Sequence, residues 1–201
     1  VPYKISNDGR GGHACGHHLF GTASTAAAIA VKNYLKKSGK KGTIKLFGCP
    51  AEEGGSGKVY MTRAGLFDDL DVALHWHADS KNSAGIRPAL ANKSAKFRFY
   101  GIAAHAAGAP EMGRSALDAV EAMNTMVNMM REHVTDDTRI HYVITRGGEA
   151  PNVVPDFAEV YYYSRHSTRD EVIRVFDRIV DAARGAALGT GTTMEYEMIG
   201  G

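Results

Sequence analysis

The sequence predicts an α/β protein in two parts, a parallel-sheet region followed by a region of β-α-β-β-α-β order. Three observations lead there. Residues 22–78 run helix, apolar strand, Gly-rich turn, helix, apolar strand, an order typical of parallel sheets. From about residue 93 the apolar residues alternate in short runs, as in antiparallel strands with one solvated face. Two long amphipathic stretches, at 115–133 and 168–187, separate those runs.

Each element has a local reason. Residues 1–12 are polar and Gly-rich and read as a loop. Thr22–Lys37 is rich in Ala, the strongest helix former, with Lys36 and Lys37 at the negative pole of the helix dipole and Gly39 and Gly42 to end it. Thr43–Gly48 reads as a strand, and residues 57–65 as a helix after the PAEEGGSG turn. Asp71–Ala78 reads as a second strand. In Lys93–Gly101, Lys96 and Arg98 share one face while Phe97 and Phe99 share the other, giving a half-buried antiparallel strand. Ser115–His133 carries Leu117, Val120, Met123, Val127 and Met130 along one side. Arg139–Arg146 and Phe157–Arg165 read as strands, Thr168–Ala187 as a helix and Thr192–Ile199 as a last strand. This order is the split unit of ferredoxin-like domains, four antiparallel strands with both helices on one face.

Composition narrows the function. With 201 residues the chain has room for one large domain or two small ones. A formal charge of +2 with no basic stripe argues against nucleic acid as a partner. No apolar run approaches the ~20 residues of a membrane helix. Two cysteines are too few for a disulfide scaffold and fit a reducing, cytoplasmic setting. The first residue is Val1 and the last run ends in Gly200-Gly201, so the chain is expected to be a fragment.

Three polar knots carry the chemistry. Residues 12–18, Gly-His-Ala-Cys-Gly-His-His, pack three histidines and Cys15 into seven positions. Pro50-Ala51-Glu52-Glu53-Gly54-Gly55 follows an apolar strand, and His75-Trp76-His77 ends another. A lone His or Cys is more often a surface or core residue, and a Glu pair alone is a solvated dyad. Together, in this order, thiol, imidazole and carboxylate form a donor set for a borderline divalent metal. Such a metal acidifies water enough to give hydroxide near neutral pH, and a carboxylate beside it can take and pass on the proton. Adjacent Glu52 and Glu53 can point one to the metal and one to the water.

The motifs HACGHH, PAEEGG and GIAAHAAGAPEMGRSALDAVEAM resemble the zinc-dependent aminoacylase and carboxypeptidase family. Within it they resemble the amidohydrolase branch, in which a Cys replaces a bridging Asp. The resemblance covers nearly the whole chain. It implies that residues 1–92 are part of a metal-binding catalytic domain and residues 93–201 an inserted lid and dimerisation domain. It further implies two divalent ions, zinc or manganese, held by Cys15, His17, Glu53 and His77, with His75 an alternative to His77 and Glu52 as general base. A fifth His ligand of the family has no counterpart here. His105 would reach a partner subunit's site and stabilise the oxyanion, and Asn152 and Arg165 would bind the substrate's carboxylate. Alone, His105 reads as structural, Asn152 as a turn former and Arg165 as a surface charge. His18 stands where the branch has Asp or Asn, and Cys49 reads as structural. The implied function is hydrolysis of an amide between an acyl or aroyl group and an amino acid, by a homodimer or with a second subunit. A dipeptidase or N-acyl amino acid deacylase is the alternative within the family. A non-catalytic dimerisation or metal-binding module is the alternative outside it.

Overall fold

In the computed structural model the described residues are 13, 15–85 and 89–200. They divide into two compact units at the 86/87 boundary. The predicted loop over residues 1–12 lies outside the described residues.

The only regular elements among the described residues of the first unit are helices. Helix α1 runs His17–Ser38, five residues earlier than its Ala-rich stretch predicts. Gly16 precedes it in the left-handed region at φ 84°, which only Gly adopts without strain, and its carbonyl accepts from Leu19 N–H at 2.8 Å. Gly39, at φ 67°, ends the helix. Short helices α2 (Glu52–Gly55) and α3 (Gly57–Arg63) follow. Residues 43–48 and 71–78, predicted as parallel strands, carry no ladder, and the parallel sheet is therefore not seen. The physical reason is that a strand exists only through its neighbour's N–H and C=O groups. No described segment of this unit pairs with either stretch. Residues 43–48 and their surroundings instead meet residues 67–69 through side chains. Phe47 packs edge-on against Phe67 at 5.0 Å, and Lys45 pairs with Asp69. No described residue of this unit is buried.

The second unit follows its predicted order closely. Its elements are β1 (Ala91–Tyr100), α4 (Ala116–Met130) with a 3-10 turn at Arg131–His133, β2 (Arg139–Arg146), β3 (Phe157–His166), α5 (Arg169–Thr190) and β4 (Thr193–Gly200). The sheet order is β2-β3-β1-β4 with every neighbour antiparallel, the ferredoxin-like arrangement. Ala95, Phe97 and Phe99 of β1 and Ala158, Val160 and Tyr162 of β3 are buried with Val120, Met123 and Val127 of α4 and Val175, Phe176 and Ile179 of α5. The Ser115 side chain accepts from Asp118 N–H at 3.1 Å and caps α4.

The face opposite the helices is polar and centred on Glu159, a buried carboxylate. It accepts from Arg98 Nε at 2.8 Å and Thr145 Oγ1 at 2.7 Å, and Lys96 Nζ lies at 3.2 Å. A buried charge is tolerable when it is paired in this way. Among the described residues no helix is long and apolar enough to cross a membrane.

Candidate active site

Gly16 separates Cys15 from the helix that His17 opens, so thiol and imidazole leave the chain on either side of a tight turn. Across 62 residues, Cys15 Sγ lies 3.2 Å from His77 Nε2. The other His77 nitrogen, Nδ1, is 2.8 Å from the Ala78 carbonyl. A carbonyl can only accept, so Nδ1 carries the proton and Nε2 presents its lone pair toward the sulfur. Metal-binding imidazoles are commonly oriented by such a backbone bond.

The donor pair fits an ion by type and spacing. Tetrahedral bonds of about 2.3 Å to sulfur and 2.0 Å to nitrogen put the two donors ~3.5 Å apart. His17 Nε2 lies 3.5 Å from Glu52 Oε2, a second close pair. The Glu53 side chain lies outside the described residues. Among the described residues no three His, Cys, Asp or Glu side chains form a cluster able to hold a metal.

The Glu-bearing turn is strained. Ala51 sits at φ 50°, ψ 43°, a left-handed conformation that costs a non-Gly residue energy. Gly57 lets the chain pass close to Pro50, since a Cβ there would lie 2.0 Å from the Pro50 carbonyl oxygen. Glu52 is the first residue after the strained position.

Phe20 escaped the sequence reading. Its ring lies 5.1 Å from His17, 4.9 Å from His77 and 5.0 Å from Trp76. It stands three residues after His17, one helical turn on, and that spacing was the available signal. The His18 ring lies tilted against His13 at 4.5 Å. Cys49 is half-buried, with its thiol 3.9 Å from the Phe47 carbonyl. Neither cysteine forms a disulfide.

The candidates in the second unit divide into two places. His105 bridges Val153, and Ala106 N–H donates to the Asn152 carbonyl at 2.9 Å, so His105 and Asn152 share one patch. That patch continues the β1–β3 pairing past its Tyr100–Phe157 end, with Val154 N–H on the Ala104 carbonyl. Arg165 is at the other end of β3, opposite Asn92, with its guanidinium 5.4 Å from the Tyr163 ring. Eight residues of strand separate it from Phe157, about 26 Å at ~3.3 Å per residue. One copy of the unit therefore brings His105 and Asn152 together and leaves Arg165 apart.

The comparisons agree with the fold and the motifs. Residues 91–190 match the peptidase dimerisation domain. The chain is 52% identical over 188 residues to the B subunit of p-aminobenzoyl-glutamate hydrolase from Escherichia coli strain K12, covering 93% of this chain and 39% of that protein. It is 36% identical to the mouse Xaa-Arg dipeptidase, covering 92% of this chain and 43% of the dipeptidase. A crystal structure of an aminobenzoyl-glutamate utilization protein from Klebsiella pneumoniae superposes with a TM-score of 0.65 at 29% identity, over 88% of this chain and 47% of that one. The chain thus spans less than half the length of these relatives. It belongs to the peptidase and amidohydrolase family whose dimerisation domain it carries at residues 91–190.

Proposed function

We propose that the chain supplies metal ligands, general base and lid of a metal-dependent amidohydrolase acting on p-aminobenzoyl-glutamate or a similar aroyl- or acyl-amino acid. The observation that carries this reading is the Cys15–His77 pair, with His77 held by Ala78 so that its lone pair faces the thiol. Cys15, His17, Glu53 and His77 would hold two divalent ions, zinc or manganese. When bound, the metal supplies Lewis acidity, acidifying water and polarising the amide carbonyl. Glu52 takes the water's proton and later delivers it to the leaving nitrogen. His105 donates to the carbonyl oxygen as negative charge develops there. Arg165 receives the substrate's carboxylate through its bidentate fork, with Asn152 as a further donor.

The separation of Arg165 from His105 and Asn152 supports a dimer in which one protomer's His105 and Asn152 complete the other's site. We assign residues 1–92 to the catalytic part and 93–201 to the lid. The edge strand β2 offers a surface for the second copy, since Tyr142, Val143 and Ile144 are 37%, 55% and 39% exposed beside an unpaired strand edge. A second type of subunit is the other way to fill this place. The thiols of Cys15 and Cys49 suit a reducing compartment such as the cytoplasm. The likeness to a dipeptidase favours dipeptide hydrolysis as the second reading.

The test is a chimera in which these residues replace the matching segment of the Escherichia coli relative. It should hydrolyse p-aminobenzoyl-glutamate faster than Xaa-Arg dipeptides. Glu52→Gln should keep its metal content and lose turnover by several orders of magnitude. Retention of a tenth of the parent kcat would exclude Glu52 as base. Mixing His105→Ala with Glu52→Gln should restore one active site per mixed dimer, and no recovery would exclude the shared site.

A further inference from the structure

We propose that the turn after His105 is a tautomer lock, with the Ala107 and Gly108 amides as its donors and Gly108 as a positioning residue for the ring. The proposal rests on the reading of His105 as an oxyanion donor. Ala107 N–H and Gly108 N–H point at His105 Nδ1, at 3.2 and 3.0 Å. An amide N–H only donates, so Nδ1 must hold a lone pair. In the neutral ring the proton then sits on Nε2.

The backbone closes around its own side chain. The His105 carbonyl accepts from Gly108 N–H at 3.2 Å and Ala109 N–H at 3.0 Å. The same residue bridges Val153, so the base of the ring is tied to the Asn152 segment. Gly108 lies close enough that a Cβ there would sit 3.4 Å from Nδ1 and 3.5 Å from Cγ. An alanine methyl there would meet the ring at ordinary van der Waals distance, so the turn packs against the ring as well as donating to it.

The chemical consequence concerns the far nitrogen. With Nδ1 committed to the turn, Nε2 faces away from it, and the ring is exposed. An oxyanion needs a donor, and only the Nε2–H form offers one there. The other tautomer would present a lone pair to a developing negative charge.

The lock can be read without catalysis. The 15N-labelled 201-residue chain, at about pH 8 where imidazoles are neutral, is examined by long-range 1H–15N correlation. His105→Gln assigns the ring signals. The expected result is the pure Nε2–H pattern for His105. The mixed pattern of free imidazole, or an Nδ1–H pattern, would overturn the lock. Gly108→Pro removes one donor and should move the ring toward the mixture while the β1–β4 amide signals stay in place. An unchanged pattern in a folded Gly108→Pro chain would remove Gly108 from the proposal. If that variant does not fold, the unsubstituted chain's pattern decides alone. In the chimera, Gly108→Pro, which removes the same donor, should lower kcat about tenfold with KM little changed. Full activity of His105→Ala in the chimera would instead overturn the oxyanion role and leave the lock standing.

Discussion

Truncating Phe97 should remove a large share of the margin that keeps the second unit folded. Phe97 is 0% exposed at the centre of β1, between Val160 on β3 and Tyr196 on β4. Its ring meets Tyr162 edge-on at 5.8 Å, Tyr196 in a stack at 5.5 Å and Phe176 of α5 at 6.2 Å. Phe97→Ala deletes the ring that joins both layers and leaves a cavity that neighbours on two strands and a helix cannot close. Such changes cost about 3–5 kcal/mol, against a domain stability of about 5–15 kcal/mol. With a urea slope of about 1.5 kcal/mol/M, the midpoint should fall by about 2–3 M. The assay is urea unfolding of residues 89–200 followed by far-UV circular dichroism. Fluorescence of the single tryptophan is unsuitable, because Trp76 lies in the other unit. Leu188→Ala is the control, since Leu188 is 86% exposed and should change stability by no more than about 0.5 kcal/mol. A Phe97→Ala loss below about 1 kcal/mol at unchanged slope would refute the reasoning. Failure of the unsubstituted segment to fold would refute the independence of the unit.

Two further outcomes follow from the same unit. Burial pushes the Glu159 carboxyl up, but hydrogen bonds from Thr145, Arg98 and Lys96 outweigh it and hold the group below its ordinary 4.5. Its stabilisation is therefore fully present above pH 4.5 and lost as pH falls through the lower folded value. Glu159→Gln should cost about 1–3 kcal/mol at pH 7 and flatten the acid limb of stability against pH; an equally steep limb in the variant would contradict this. If the proposed dimer forms through β2, Val143→Asp on its exposed edge should leave the circular dichroism unchanged and give monomer by sedimentation velocity, and an undisturbed dimer would move the interface elsewhere.

The second unit was legible because its signals are local. Alternation in Phe97–Phe99 and the 3.6-residue spacing of Val172, Val175, Phe176 and Ile179 each name a buried face without reference to distant residues. The strands expected at 43–48 and 71–78 were equally apolar, but a ladder depends on partners that no described residue of the first unit supplies. Cys15 and His77 were legible as metal-type donors through residue chemistry, while their 3.2 Å approach depends on the fold. The separation of Arg165 from His105 and the joining of His105 to Asn152 follow from sheet register, which single-residue patterns do not encode.

The most direct test of the metal site is cobalt substitution. The 201-residue chain is titrated with Co²⁺ under anaerobic, reducing conditions and followed by near-ultraviolet absorption, where a thiolate bound to Co²⁺ gives a charge-transfer band. The band should appear with the intact chain, survive Cys49→Ser, vanish in Cys15→Ser and weaken in His77→Ala. No band in the intact chain, or a band that survives Cys15→Ser, would contradict a metal centre built on Cys15 and His77.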